Sequence, residues 1–441
     1  MRIKNIKLKI NSITKDFLSI IYKKKILKTK KFNKKEFEDY QYKAFKEILF
    51  ISIEKIPYYK EKEDYIKALE RFEGELSKDL NKLPVLKKSI VKEKNEKFWM
   101  ENSLTSHFHT TSGTSGTPLK IKSTLFEKVK SRAILNEWYK DLGYEKGWKL
   151  FLSGFFTPRG KDGEIYYIDN TNKEIYLSIY SINESNAQRI FDLISEKRVN
   201  FVYGYASAVY QLAMIINKSK KRVFNNSVIC ISTSEVLYDN WKKVIEREIG
   251  NVYNLYGSQE GSHMVLECSH NSLHINPLIG IVEILDEENK EVAEGEIGKV
   301  VITGLNKKSM PLIRYEIGDY AQKGNFDKCR CGLEWPTISN IEGRAEDLVK
   351  TTDGRRIGYL CFHATKNLDG ILEAQLVQEN YNEFKMNLVL IGNRDKESIE
   401  QNISSELKKR LLEEVDIKFY YTDKIKRGPN GKFKAVVVED F

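Results

Sequence analysis

The sequence predicts an α/β protein: a large layered α/β N-terminal domain with a β-rich subdomain, followed by a small mobile α+β C-terminal domain. Three observations lead there. Short apolar runs bounded by turn residues, "WKLFLSGFF" (148–156), "NFVYGYA" (200–206) and "SVICISTSEV" (227–236), alternate with helical spacing near 184–197, 206–217 and 239–249. Strands alternating with helices build layered sheets. From about residue 280 the texture changes, and "GIVEILDEENKEVAEGEIGKVVIT" reads as apolar strand, turn and apolar strand. Near the end, 371–396 alternates apolar and polar, a charged helix follows over 396–413, and "DIKFYYT" reads as another strand.

Upstream, 36–75 carries apolar residues at helical spacing through Phe45, Ile48, Leu49 and Ile53, interrupted at Pro57. A second helical stretch runs over 124–142 and ends near Gly143. The domain boundary falls near Gly343–Leu348, giving a large domain over 1–345 and a small one over 346–441. A length of 441 residues suits two or three domains, and 41% hydrophobic residues suffice for a large core.

No apolar run reaches the ~18 residues that span a bilayer. The N-terminus lacks the apolar centre and small-residue cleavage site of a secretory signal. Five cysteines, an odd number, do not suggest a disulfide framework. These features predict a cytoplasmic protein. The net charge of +11 sits wholly in residues 1–60, which hold 17 Lys/Arg and 6 Asp/Glu, so the body is balanced. The basic arm, 1–35, fits either a solvated helix surface or contact with a membrane surface or an anionic glycan. A charge-balanced body and an arm whose aromatics are not interleaved on a recognisable module weigh against a nucleic-acid enzyme.

"HTTSGTSGTPLK" (109–120) is the most informative stretch. Gly113 and Gly116 free the backbone to curl. The hydroxyls of Thr111, Ser112, Thr114, Ser115 and Thr117 add donors to the bare N–H groups, which is the composition of a phosphate cradle. Lys120 supplies a cation. The loop is not a Walker A sequence, because no Gly-Lys-Ser/Thr follows the second glycine.

This loop resembles the phosphate loop of the adenylate-forming superfamily, which includes acyl-CoA synthetases, luciferases and peptide-synthetase adenylation domains. Further matches follow in order. "STSEV" (232–236) resembles the segment lining the adenine pocket, "NLYGSQEG" (254–261) the aromatic-Gly-x-x-Glu motif, and "RYEIGDYA" (314–321) the Tyr-x-x-Gly-Asp motif. "IEGRAEDLVKTTDGRRI" (341–357) resembles the Gly-Arg hinge, and "KIKRGPNGKFKAVV" (424–437) the segment bearing the catalytic lysine. "KIPYYKE" near 57, "LPVLKKSIV" near 84, "VYGYAS" near 203 and "CRCG" near 329 are most similar to the phenylacetate-CoA ligase and CapK-like branch.

The resemblance implies a two-step reaction. ATP and a carboxylic acid give an acyl-adenylate and pyrophosphate, and a thiol, usually of CoA, then takes the acyl group. The carboxylate must approach an equally anionic α-phosphate, so the site has to neutralise both. It implies phosphate binding at 111–116, adenine contacts at Ser234, Glu235, Tyr256, Gly257 and Ser258, and Mg²⁺ on Glu260. Asp319 and Arg344 would hold the ribose and phosphate region. Lys432 is the adenylation lysine, with Lys434 its neighbour. Glu346 stands where the family hinge usually has Asp or Lys. An acyl pocket is expected around 151–158 and 203–207.

Cys329 and Cys331 in "CRCG", with Cys268 and His274 in "ECSHNSLHIN", suit tetrahedral Zn²⁺, and His270 rivals His274. The resemblance too implies a structural zinc. Cys230 and Cys361 lie in apolar stretches and read as core. His107 and His109, beside the loop, read as ordinary polar residues. Two other readings stay open. The acceptor is a cell-surface polysaccharide precursor or carrier in place of CoA, or the chain binds nucleotide without ligase activity. Intact Glu260, Asp319, Arg344 and Lys432 weigh against the last.

Overall fold

Why the chain starts and stops its helices is visible in their caps. Asn33 accepts from the Glu36 N–H while Glu36 reaches back to the Asn33 N–H, and Thr124 and Glu127 repeat that reciprocal arrangement before the helix Leu125–Asp141. The computed structural model describes residues 20–101, 106–111, 119–154, 164–224, 227–358, 360–365, 368, 370–411, 414–428, 431–439 and 441. Among them no helix is long and apolar enough to cross a membrane.

The helical stretch expected over 36–75 is three helices, Lys34–Lys55, Pro57–Lys60 and Glu63–Glu70. Pro57 has no N–H to continue the first and instead opens the second. Residues 20–29 of the basic arm are also helical. Ile26 and Thr29 are buried, and the Trp335 indole N–H donates to the Thr29 carbonyl at 3.2 Å. This part of the arm is therefore bound to the body.

The chain forms two compact units. The first holds 1–146, 253–317 and 321–340. Its β-rich part includes the expected hairpin, Gly280–Leu285 against Ile297–Gly304, in antiparallel register. Gly280 and Gly304 pack directly on Ser262, where a Cβ at Gly280 would come within 1.9 Å of the Ser262 carbonyl oxygen. Tyr58, Tyr59, Tyr65 and Phe98 interlock beside this part as a buried aromatic cluster.

The second unit holds 147–252, 318–320 and 341–441. Its larger sheet runs in the order Ile229–Thr233, Val199–Tyr205, Trp148–Ser153, Glu174–Ser178, Tyr166–Asp169. All are parallel except the last. Parallel strands need crossover segments, and the helices Ala187–Lys197 and Ala206–Ser219 supply two of them. The strands are buried almost throughout, so they read as apolar runs without alternation.

Residues 349–438 enclose a core of their own around Leu376, Phe384, Met386, Leu388, Ile403 and Leu407. There the sheet order is Asp416–Tyr421, Glu383–Leu390, Ile371–Gln378, Val436–Val438, with the helix Lys396–Leu411 packed on it. The α/β class and the terminal α+β segment match expectation. Phe384→Ala empties a site 1% exposed. It should cost about 3–5 kcal/mol, read as faster hydrogen exchange in 371–378 and 383–390.

Candidate functional site

In the first unit the hydroxyl loop connects an antiparallel hairpin, Ser106–Thr110 with Lys120–Thr124. Its neck is closed by Thr111, whose N–H donates to the Leu119 carbonyl (2.9 Å) and whose Oγ1 accepts from the Leu119 N–H (3.0 Å). Ser112, Gly113, Thr114, Ser115 and Gly116 lie outside the described residues. Lys120 is exposed, with its ammonium over the rings of Phe108 (4.5 Å) and Trp99 (5.1 Å).

The hairpin is tied to the motif that follows the strand Val252–Gly257. His109 Nε2 lies 3.0 Å from the Gln259 carbonyl oxygen. A carbonyl only accepts, so Nε2 carries the proton. Burial pushes the His109 pKa down, which favours that neutral ring. Beneath it, Lys307 is 4% exposed and donates to the Lys122 carbonyl (2.9 Å) and Ser123 Oγ (2.6 Å), with Glu127 at 3.6 Å. Neither residue stood out in the sequence as a site residue, since a lone lysine is by default a surface group.

Tyr256 is buried against the His263 ring, 4.7 Å between centroids. Gly257 ends the strand, and Ser258 keeps a buried Oγ with no hydrogen-bond partner among the described residues. Glu260 sits in a turn, 4% exposed, and its carboxylate accepts a long 3.4 Å hydrogen bond from Tyr315 Oη. A buried carboxylate suits a bound cation.

The second unit gathers the other motif residues. Asp319 follows Gly318, whose φ of +89° calls for glycine. Arg344 follows Gly343, φ +105°. Arg344 Nε lies 2.9 Å from Asp319 Oδ1. Ser234 adopts a left-handed conformation, φ +68°, just beyond the buried strand Ile229–Thr233. Glu235 then accepts two backbone hydrogen bonds, from the Ser207 N–H at 2.8 Å and the Phe433 N–H at 2.7 Å. Lys432 is half-buried, its ammonium 5.6 Å from the Tyr205 ring centroid. Burial lowers its pKa. Glu235 and Asp319 oppose that shift, and Arg344 adds to it. Lys434 turns elsewhere, to Asp347 at 3.3 Å. The backbone at Glu346 belongs to a short 3-10 turn over Ala345–Asp347, while its side chain lies outside the described residues.

Cys268, His274, Cys329 and Cys331 converge, with one ligand atom from each and all within 4.8 Å of one another. Two tight turns present them. The Asn271 N–H donates to the Cys268 carbonyl (3.0 Å) and the Gly332 N–H to the Cys329 carbonyl (2.9 Å). His270 donates its backbone N–H to Cys268 Sγ, and its ring nitrogen faces Ser269, so His274 is the histidine of the cluster. Cys230 and Cys361 are buried in apolar cores, as expected. Among the described residues Cys268, His274, Cys329 and Cys331 are the one group of metal-ligating side chains at such range.

Comparison with known proteins fits this geometry. The family model described as the CapK C-terminal domain matches residues 349–439. Protein CapK of Staphylococcus aureus is 22% identical over 392 residues, 85% of this chain and 86% of the relative. A phenylacetate-coenzyme A ligase of Thermus thermophilus is 23% identical over 291 residues, 62% of each chain. Among solved structures, 2-hydroxyisobutyryl-CoA ligase in the postadenylation state, in complex with R3-HIB-AMP, gives a TM-score of 0.74 at 19% identity, covering 93% of this chain and 91% of that one. At that identity the likeness is one of fold. The chain is thus similar to the adenylate-forming superfamily, on the branch of CapK and the phenylacetate-CoA ligases.

Proposed function

We propose that the protein is an AMP-forming acid–thiol ligase, which activates a carboxylic acid as acyl-AMP and transfers the acyl group to CoA. The observation that carries the reading is the setting of Lys432. It is drawn out of water in the same unit as Glu235, Asp319 and Arg344, within range of their charges. A cation held in a partly dry setting is worth more against two anions than one in bulk water.

In this reading Lys432 lies between the carboxylate and the α-phosphate as they join. Asp319 accepts from the ribose hydroxyls and Arg344 stays beside it. Tyr256 and Ser258 line the adenine side. The 111–116 loop holds the outer phosphates until pyrophosphate leaves, and Glu260 holds Mg²⁺, which neutralises phosphate charge. The segment 346–441 acts as the lid that carries Lys432, turning about Glu346. Its separate core supports that role.

A second acceptor is favoured by one finding: the CapK relative aligns over 85% of this chain, against 62% for the Thermus ligase. In that version the activated acyl or aminoacyl group passes to a cell-surface polysaccharide precursor or carrier. The basic arm, where it is not engaged with the body, gives such an acceptor or a membrane surface a cationic contact. Cys268, His274, Cys329 and Cys331 form a structural Zn²⁺ site in either version, supported by three thiols and one imidazole in tetrahedral reach.

Mass spectrometry of products from an acid library, with and without CoA, tests the reading. An ATP-dependent thioester supports it, whereas nucleotide binding with no acid consumed overturns it. Lys432→Ala should lose adenylation by roughly 100-fold or more, the scale of one electrostatic group in a transition state. Thioester formation from presynthesised acyl-AMP should fall far less. For the metal site, the purified chain should carry about one Zn²⁺. Cys331→Ser should release it to a weak chelator, read by a colorimetric zinc indicator.

A further inference from the structure

Glu235 lies in the segment expected to line the adenine pocket, yet both its carboxylate oxygens are engaged within the protein. Oε2 accepts from the Ser207 N–H, in the first turn of the helix Ala206–Ser219. Oε1 accepts from the N–H of Phe433, the residue directly after Lys432. The left-handed turn at Ser234 comes immediately before it.

The rest of the lysine loop is built to meet this contact. The Gly428 N–H donates to the Lys432 carbonyl (2.9 Å), and the Gly431 N–H to the Gly428 carbonyl (2.8 Å), closing a tight loop around Lys432. The Phe433 ring is buried, 5.9 Å from the Trp241 ring, with the Arg427 guanidinium 4.5 Å from its centroid. Arg427 is held in turn by Glu373 at 2.5 Å. Phe433 is thus gripped twice, by its ring and by its amide, and the amide grip is charge-assisted.

We propose that Glu235 is a positioning residue, a carboxylate latch that holds the Lys432 loop against the Tyr205–Ser207 segment for the acid-activating step and releases the Phe433 amide when that loop departs. The inference rests on the ligase reading for its purpose, though not for its geometry. A carboxylate is suited to the task because it accepts from two backbone donors at once. A glutamine of equal size accepts with one end only and turns a donor toward the other N–H.

Hydrogen exchange on the full chain without nucleotide tests the latch. In the wild type the Phe433 amide should exchange slowly. In Glu235→Gln it should exchange about 10-fold faster or more, the factor expected for losing a bond to a charged acceptor. Strand 229–233 and helix 206–219 should keep their wild-type rates. Unchanged exchange at Phe433 overturns the proposal. If Glu235→Gln loosens those reference elements too, Ser207→Pro decides. Proline is tolerated in a first helical turn and withdraws the other donor. Faster exchange at Phe433 in that variant supports the latch, and an unmoved rate refutes it. ATP–pyrophosphate exchange provides the functional arm, run with the acids of the library. Glu235→Gln should cut it about 10-fold or more by the same loss, and wild-type turnover in that variant would also overturn the proposal. Lys432→Ala should abolish pyrophosphate exchange while Phe433 stays slow. A slow Phe433 in a wild type that activates no acid would sink the ligase reading and leave the latch standing.

Discussion

An ammonium group drawn part-way out of water is the interaction on which the rest of this protein turns. Lys432 carries that group in the second unit, half-buried beside Tyr205. It has an aromatic face, and carboxylates within electrostatic reach. Taking a cation out of solvent is costly, and chains tolerate it where the charge has work to do. Here the residues around it come from four separate stretches of sequence. Tyr205 ends one parallel strand and Glu235 lies just beyond another, Asp319 follows a glycine with positive φ, and Arg344 follows another. The folding of one unit therefore assembles a charge pattern that no single segment contains.

The first unit fixes both ends of the hydroxyl-rich stretch. Its hairpin neck is closed at Thr111 and tied through His109 to the turn of Glu260. Lys307 is buried beneath, where it satisfies carbonyl and hydroxyl groups at the hairpin's return strand. Strand, turn and buried cation make a rigid foundation for a loop that is rich in glycine. Such a loop binds anions well only when its two ends are fixed, because otherwise its backbone entropy must be overcome at each binding event.

Much of this was legible in the sequence because it is written in short, local patterns. Apolar runs gave the parallel strands, alternation gave the hairpins, and glycine–aspartate or glycine–arginine pairs marked backbone positions of positive φ. The cysteines were legible too, since thiols paired so closely in a loop have few other uses. What stayed hidden was long-range. Lys307, 185 residues from its carbonyl partner Lys122, looks like any surface lysine. The helical stretch over 36–75 is interrupted at Pro57 as its sequence suggests, but the proline also opens a helix of its own, and a third follows. The engagement of Glu235 with Phe433 spans 198 residues, and a carboxylate that seeks backbone N–H groups leaves no mark on the sequence pattern.

The separate core of residues 349–438 has a mechanical implication. A segment that carries its own oily interior can part from its neighbour without melting. Among the described residues, Val389, Ile425 and Phe433 of this segment reach into the apolar cluster beneath the parallel strands, with Leu372 and Ala435 packed at its edge. Lifting it away would wet those few side chains and leave Leu376, Phe384 and Leu407 dry. Were the unit to open along that seam, the segment's own interior would stay out of water.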